Sequence, residues 1–170
     1  MTLEFLDQRQ AREEREVISA FTGRDQLLPV LHAVRDRIGW ISPDALGLIA
    51  STLGVPPADV AEFARAHPLF SLEERPGRQL RVCTDEVCRV AGSDTVCDVL
   101  TEHVGVAGKS RAGVMWLRSP CLGACEGAPV ALAFQAGDPA VSELLAPATG
   151  ASAVLSTRRP LVAESDVDSH

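Results

Sequence analysis

Two short cysteine pairs set the problem this chain has to solve. Cys83 and Cys88 enclose four residues, and Cys121 and Cys125 enclose three, the latter in Cys121-Leu122-Gly123-Ala124-Cys125-Glu126-Gly127-Ala128-Pro129. Between the pairs lie 32 residues. If the four thiols act together, the fold has to carry both segments to one end of a common scaffold. The remaining cysteine, Cys97, stands apart from both pairs.

Composition narrows the setting. A hydrophobic fraction of 46% supports a packed core, and a charged fraction of 23% is ordinary for a soluble protein. Aromatics make up 4% and tyrosine is absent, so the core has to be aliphatic. The net charge of −7 argues against nucleic acid as a partner, because phosphates demand a basic surface. No apolar run reaches the ~20 residues needed to cross a bilayer, so no direct membrane insertion is expected. The start, Met1 to Asp7, is acidic where a secretory signal is basic, which points to the cytoplasm. There, cysteine pairs are more often metal ligands or redox thiols than structural disulfides.

The first seventy residues read as four short helices. Residues 8–21 carry acids and bases at i,i+3 and i,i+4 spacing, a solvated face ended by Gly23. Asp25 is the expected cap of a second helix, whose stripe is Leu27, Leu28, Val30, Leu31, Val34 and Ile38 and whose stop is Gly39. Ser42-Pro43 starts a third, with Leu46, Ile49, Ala50 and Leu53 inward and Gly54 closing it. Pro56-Pro57 opens a fourth, and His67-Pro68 ends it, since a residue before proline leaves helical geometry.

Leu69–Leu72 is expected to be extended, and the Pro76-Gly77 turn marks a boundary between residues 1–75, a helical bundle, and residues 76–156. There the pattern changes to alternating strands and helices. Strands are expected at Leu80–Val82, Val114–Leu117 and Val130–Phe134, and a helix over residues 91–104. A short helix at Val141–Leu145 and a strand at Ala153–Leu155 follow. Residues 157–170 read as a polar tail. Both cysteine pairs then fall in loops at strand ends, where α/β folds place their ligand groups.

Three chemistries compete for the four thiols. Structural zinc favours C-x2-C knuckles, and neither pair has that spacing. A dithiol redox motif would be C-x-x-C beside a βαβ unit, also missing. A [2Fe–2S] cluster takes two thiolates on each iron and tolerates wider spacing. Gly123, Gly127 and the alanines let backbone N–H groups approach sulfur. Arg89 and Arg118 are candidate counter-charges, though an ordinary surface role is the simpler reading of each. Cys97 falls in helical phase with Leu100 and Val104, as a core residue. His32, His67, His103 and His170 share no ligand spacing, and His67 stands out only by its place before the cysteine half.

The sequence resembles the thioredoxin-like [2Fe–2S] subunits of respiratory complex I (its 24-kDa or E-type subunit), and the related subunits of NAD-dependent formate dehydrogenases and NAD-coupled hydrogenases. The cysteine spacing with Ala128-Pro129 carries the likeness, together with Gly39-Trp40-Ile41-Ser42-Pro43-Asp44-Ala45-Leu46 and Leu53-Gly54-Val55-Pro56-Pro57-Ala58-Asp59-Val60. It covers roughly residues 27–134.

The resemblance implies an α/β (α+β) chain: an N-terminal four-helix bundle followed by a thioredoxin-like ferredoxin domain. It implies one [2Fe–2S] cluster held by Cys83, Cys88, Cys121 and Cys125. It implies a non-catalytic electron-transfer role in a hetero-oligomeric complex with an FMN- and NAD(H)-binding flavoprotein and further iron–sulfur subunits. The chain has no Gly-rich dinucleotide fingerprint of its own. Two departures from the family pattern are the aromatic-poor Phe63–Pro68 segment and the missing Asn/Asp-Gly hairpin and Tyr-Gly after Phe134. A free-standing ferredoxin and a zinc-holding structural module stay open as alternatives.

Overall fold

The computed structural model describes residues 3–161. The chain divides into two compact units. One comprises the residues up to Arg75 with Ala136–Pro139, the other Pro76–Gln135 with the residues from Ala140 onward.

The first unit holds α1 (Leu3–Ile18), α2 (Leu27–Ile38), α3 (Pro43–Leu53) and α4 (Pro57–Ala66). Its core joins Ile18, Val30, Leu31, Val34, Ile41, Ile49, Leu53 and Val60, all essentially without solvent exposure. The start and stop signals act as their chemistry dictates. Ser42 Oγ accepts the Ala45 N–H at 3.0 Å, and Pro43 occupies the first helical position, where a missing N–H costs nothing. Gly39 and Gly54 end their helices in left-handed geometry.

Three expectations need correction in this unit. The first helix runs over Leu3–Ile18 rather than 8–21, its start extended through Leu3, Glu4 and Leu6, which are good helix formers. Asp25 does not cap α2. It lies inside a 3-10 turn, Arg24–Gln26, and Gln26 takes the cap position without a side-chain bond. The Leu69–Leu72 stretch is a turn and bend rather than a strand, with the Ser71 carbonyl accepting the Ile41 N–H at 2.9 Å.

The second unit contains β1 (Arg78–Cys83), α5 (Glu86–Val90), α6 (Ser93–His103), β2 (Val114–Ser119), β3 (Ala131–Gln135), β4 (Val141–Leu145) and α7 (Gly150–Arg158). The strands form one sheet in the order β2-β1-β3-β4; β1 and β2 are parallel, and the other neighbours antiparallel. Leu80, Val82 and Trp116 pack with Val96, Cys97 and Leu100 of α6 and with Ala153 and Val154 of α7. β1 is buried along nearly its whole length, as a central strand should be.

Two elements are the reverse of the expected types. Val141–Leu145 is a strand whose residues alternate between half-buried and exposed, the period-two signature of a sheet edge. The Ala153–Leu155 stretch lies in α7, which starts with a capping box: the Thr149 and Ser152 side chains each bond the other's backbone. The hairpin after Phe134 therefore exists, closed through Gly137-Asp138-Pro139 instead of an Asn-Gly turn. The polar tail does not begin at Thr157. Thr157 and Arg158 are helical and Leu161 is buried, while residues 162–170 of that expected tail lie outside the described part. No helix among the described residues is long and apolar enough to cross a membrane.

Candidate metal centre

The sheet order explains how the two cysteine pairs meet. β1 and β2 run parallel in register to Cys83 and Ser119, so both strands finish at the same end of the sheet. β3 pairs with the other side of β1 and runs the opposite way, so it begins at that end. The Cys121–Pro129 segment, linking β2 to β3, must therefore pass over the end of β1, where Cys83 lies. Backbone hydrogen bonds fasten this crossing. The Cys83 N–H donates to Val130 O, and the Thr84 N–H to Ser119 O, each at 2.9 Å.

Cys88 reaches the same place by a short helix. Asp85 caps α5 by accepting the Glu86 N–H at 2.7 Å, and one turn returns Cys88 beside Cys83. Cys88 is thus helical rather than in a loop, and Cys83 is the last residue of its strand, which corrects the expectation of loops for both. A five-residue helix has no room for visible periodicity; its only sequence signal is the Asp85 cap ahead of Glu86.

The pairs differ in environment. Cys83 and Cys88 are 1% exposed and pack with Val130 against Leu122, Ala124 and Ala128. Cys121 and Cys125 are exposed, with their sulfurs 3.5 Å apart. Gly123, at φ +81, donates its N–H to Cys121 Sγ at 3.4 Å, a conformation that suits glycine and helps hold this thiol. All five cysteines are free.

Electrostatics joins the pairs into one group. Burial pushes the Cys88 thiol up, Cys83 adds to the rise, and the Val130 backbone opposes it. The Cys125 thiol is raised first by its hydrogen bond and charge interaction with Cys121, and further by Cys83 and Glu126. Cys125 also acts on Cys88. The Cys88 and Cys125 thiols thus resist losing protons, and bound cations would reverse that by supplying positive charge. Among the described residues no three potential ligands converge as a site for a single ion. Two pairs, each pre-assembled, suit two metal atoms with two sulfurs apiece.

The remaining expected residues fall outside this group. Cys97 is fully buried in the sheet–helix core, and burial raises its thiol. Arg118 pairs with Asp94 at 3.4 Å on the surface, and the cysteine it acts on is Cys97. Arg89 is exposed on α5. His67 bonds Phe63 O through Nδ1 at 3.1 Å and packs on Phe63 and Phe70, a structural role within the first unit. His32 packs edge-on against Phe70, and His170 lies outside the described residues. Val87 and Val90, which the cysteine spacing does not point to, stand 52% and 85% exposed on the helix that carries Cys88. Their exposure follows from helical phase, which becomes readable once α5 is recognised.

A family of proteins described as thioredoxin-like [2Fe-2S] ferredoxins matches residues 14–146 of this chain. The E-type subunit of the NADH-quinone oxidoreductase of Mycobacterium bovis is 32% identical over 124 residues, covering 71% of this chain and 49% of that protein. NADH-quinone oxidoreductase subunit 2 of Thermus thermophilus is 30% identical over 110 residues, covering 63% of this chain and 61% of that protein. The chain thus spans about half to three-fifths of the length of these relatives. Among solved structures, an air-oxidized NAD+-reducing [NiFe]-hydrogenase shares the fold, with a TM-score of 0.51 and 22% identity over 64% of this chain and 19% of that one.

Proposed function

The chain belongs to the thioredoxin-like [2Fe-2S] ferredoxin family, and from that premise we propose that it is an electron-transfer subunit of an NAD(H)-linked oxidoreductase complex. Cys83, Cys88, Cys121 and Cys125 would hold one [2Fe–2S] cluster, which supplies one-electron chemistry when bound. The observation that carries this reading is that the fold brings both cysteine pairs, Cys83 with Cys88 and Cys121 with Cys125, to the same end of the sheet.

The chain's own residues divide the remaining work. Cys83 and Cys88 form the shielded side, where Val130, Leu122 and Ala128 keep water from sulfur. Cys121 and Cys125 form the exposed side, through which a partner could approach closely. Val87 and Val90, exposed on the helix that carries Cys88, offer an apolar contact surface of a kind that supports docking. The partner we propose is a flavoprotein that binds FMN and NAD(H), accompanied by further iron–sulfur subunits. The relatives' names support this, being those of subunits of NADH-quinone oxidoreductases.

Anaerobic purification tests the reading. The protein should be brown, carry about two iron and two acid-labile sulfide per chain, and bleach with dithionite. Colourless protein with stoichiometric zinc would overturn the cluster. Native purification should bring a flavin-containing subunit with NADH–dye reductase activity; recovery as a lone homodimer would favour a free-standing ferredoxin.

A further inference from the structure

At the end of the sheet away from the cysteines, where β1 and β2 begin, lies a cavity of about 370 Å3. Arg78, His103, Arg111 and Arg158 line it, and no carboxylate does. For a chain of net charge −7 this gathering of three arginines is unexpected. Arg78 is already engaged, since its guanidinium donates to the Thr157 and Arg159 carbonyls at the end of α7. Arg111 and Arg158 are exposed, and among the described residues their guanidinium groups make no ion pair or side-chain hydrogen bond.

The backbone that presents Arg111 is unusual. Arg111 and Val114 close a tight turn, with the Arg111 N–H donating to Val114 O at 2.8 Å and the Val114 N–H to Arg111 O at 3.0 Å. Its two central residues, Ala112 and Gly113, have φ of +51 and +75, the pattern of a type I′ turn. Asparagine or glycine normally fills the first of these positions. Ala112 is the sole non-glycine residue with positive φ among the described residues, and it too lines the cavity. Strain held beside two unpaired guanidinium groups, those of Arg111 and Arg158, is the kind of outlier that points to a site.

We propose that this cavity binds a small phosphate-bearing anion. Planar guanidinium forks match phosphate oxygens in pairs, and Arg111 and Arg158 have those donors free. The volume lies at the lower end of small-molecule sites, larger than one phosphate needs, so a compact phosphorylated compound fits better than orthophosphate alone. No aromatic face other than His103 lines the cavity, which leaves a nucleobase without a stacking platform. This site is independent of the electron-transfer reading and stands or falls separately.

Calorimetric titration of the 170-residue chain with pyrophosphate and with inorganic phosphate, at constant chloride, tests the proposal. Saturable binding at a single site is expected, tighter for pyrophosphate. Arg111→Gln and Arg158→Gln should each weaken it by about tenfold, the loss of one charge-assisted contact. Arg89→Gln, removing an exposed cation from another part of the same unit, should leave it unchanged. Circular dichroism of each variant should match that of the unaltered chain. Absence of saturable binding, or equal weakening by Arg89→Gln, would overturn the site. So would unaltered affinity in the doubly substituted Arg111→Gln, Arg158→Gln chain.

Discussion

The sulfurs of Cys121 and Cys125 stand 3.5 Å apart in an exposed segment, whereas their proposed co-ligands Cys83 and Cys88 are enclosed by apolar side chains. A disulfide needs about 2.05 Å, a closure of roughly 1.5 Å that a short rotation of two exposed side chains can supply. When the metal is stripped with acid and chelator and the protein exposed to air, oxygen should oxidise this pair to a disulfide. Cys97, fully buried in the core, should stay reduced. Alkylation followed by peptide mass spectrometry reads the outcome. A bridge between Cys83 and Cys88 with Cys121 still alkylated would contradict the geometry.

Alanine at Cys83, Cys88, Cys121 or Cys125 should abolish the visible absorption of the anaerobically prepared protein. Cys97→Ala should keep it, with a loss of stability of about 1 kcal/mol for the small void left in the core. Absorption and iron content measured across the five variants check this. A bleached Cys97 variant would mean that the assignment of ligands is wrong.

Gly127 offers a test of the loop rather than the ligands. A Cβ at this position would lie 2.7 Å from the Cβ of Ala146, just past β4, and neither atom can rotate away. Gly127→Ala should therefore push the Cys125 segment off its seat, costing about 1–3 kcal/mol and lowering iron retention. At Gly123 an added Cβ meets nothing within 4 Å, so only the positive φ resists it. Gly123→Ala should cost about 1 kcal/mol. Chemical denaturation ranks the two, and a larger loss at Gly123 would refute the packing argument.

How much of this fold is readable in the chain depends on whether a signal is local. The cysteine spacing is local, as are Ser42-Pro43, Gly39 and Gly54, so ligand candidates and most helix ends can be found in the sequence itself. The short helix that turns Cys88 back onto Cys83 leaves only its cap, Asp85, as a trace. The reversal of β4 and α7 has a tertiary cause. Val141–Leu145 is a strand because β3 offers it an edge, and Val154 is helical because Ala153 and Val154 pack on the sheet. The Ala112 turn is invisible, since alanine carries no preference for left-handed backbone. The charged run of α1 conceals a buried residue for the same kind of reason: nothing in an acid-base repeat says which acid faces inward.

That residue is Glu14, 3% exposed, whose carboxylate accepts from Ser42 Oγ at 2.9 Å and from Gln10 Nε2 at 2.8 Å. The same Ser42 hydroxyl oxygen accepts the Ala45 N–H, so one side chain caps α3 and satisfies α1. Ser42→Ala should cost about 1 kcal/mol for the cap. A further cost of about 1–3 kcal/mol should come from leaving a buried carboxylate oxygen without its donor. In a Glu14→Ala background only the cap is left to lose, so Ser42→Ala should then cost about 1 kcal/mol. Urea denaturation of the four chains, followed by helical circular dichroism, should thus give a coupling of about 1–3 kcal/mol between the two sites. Strict additivity would show that the hydroxyl acts on α3 alone and that Glu14 finds its second donor elsewhere.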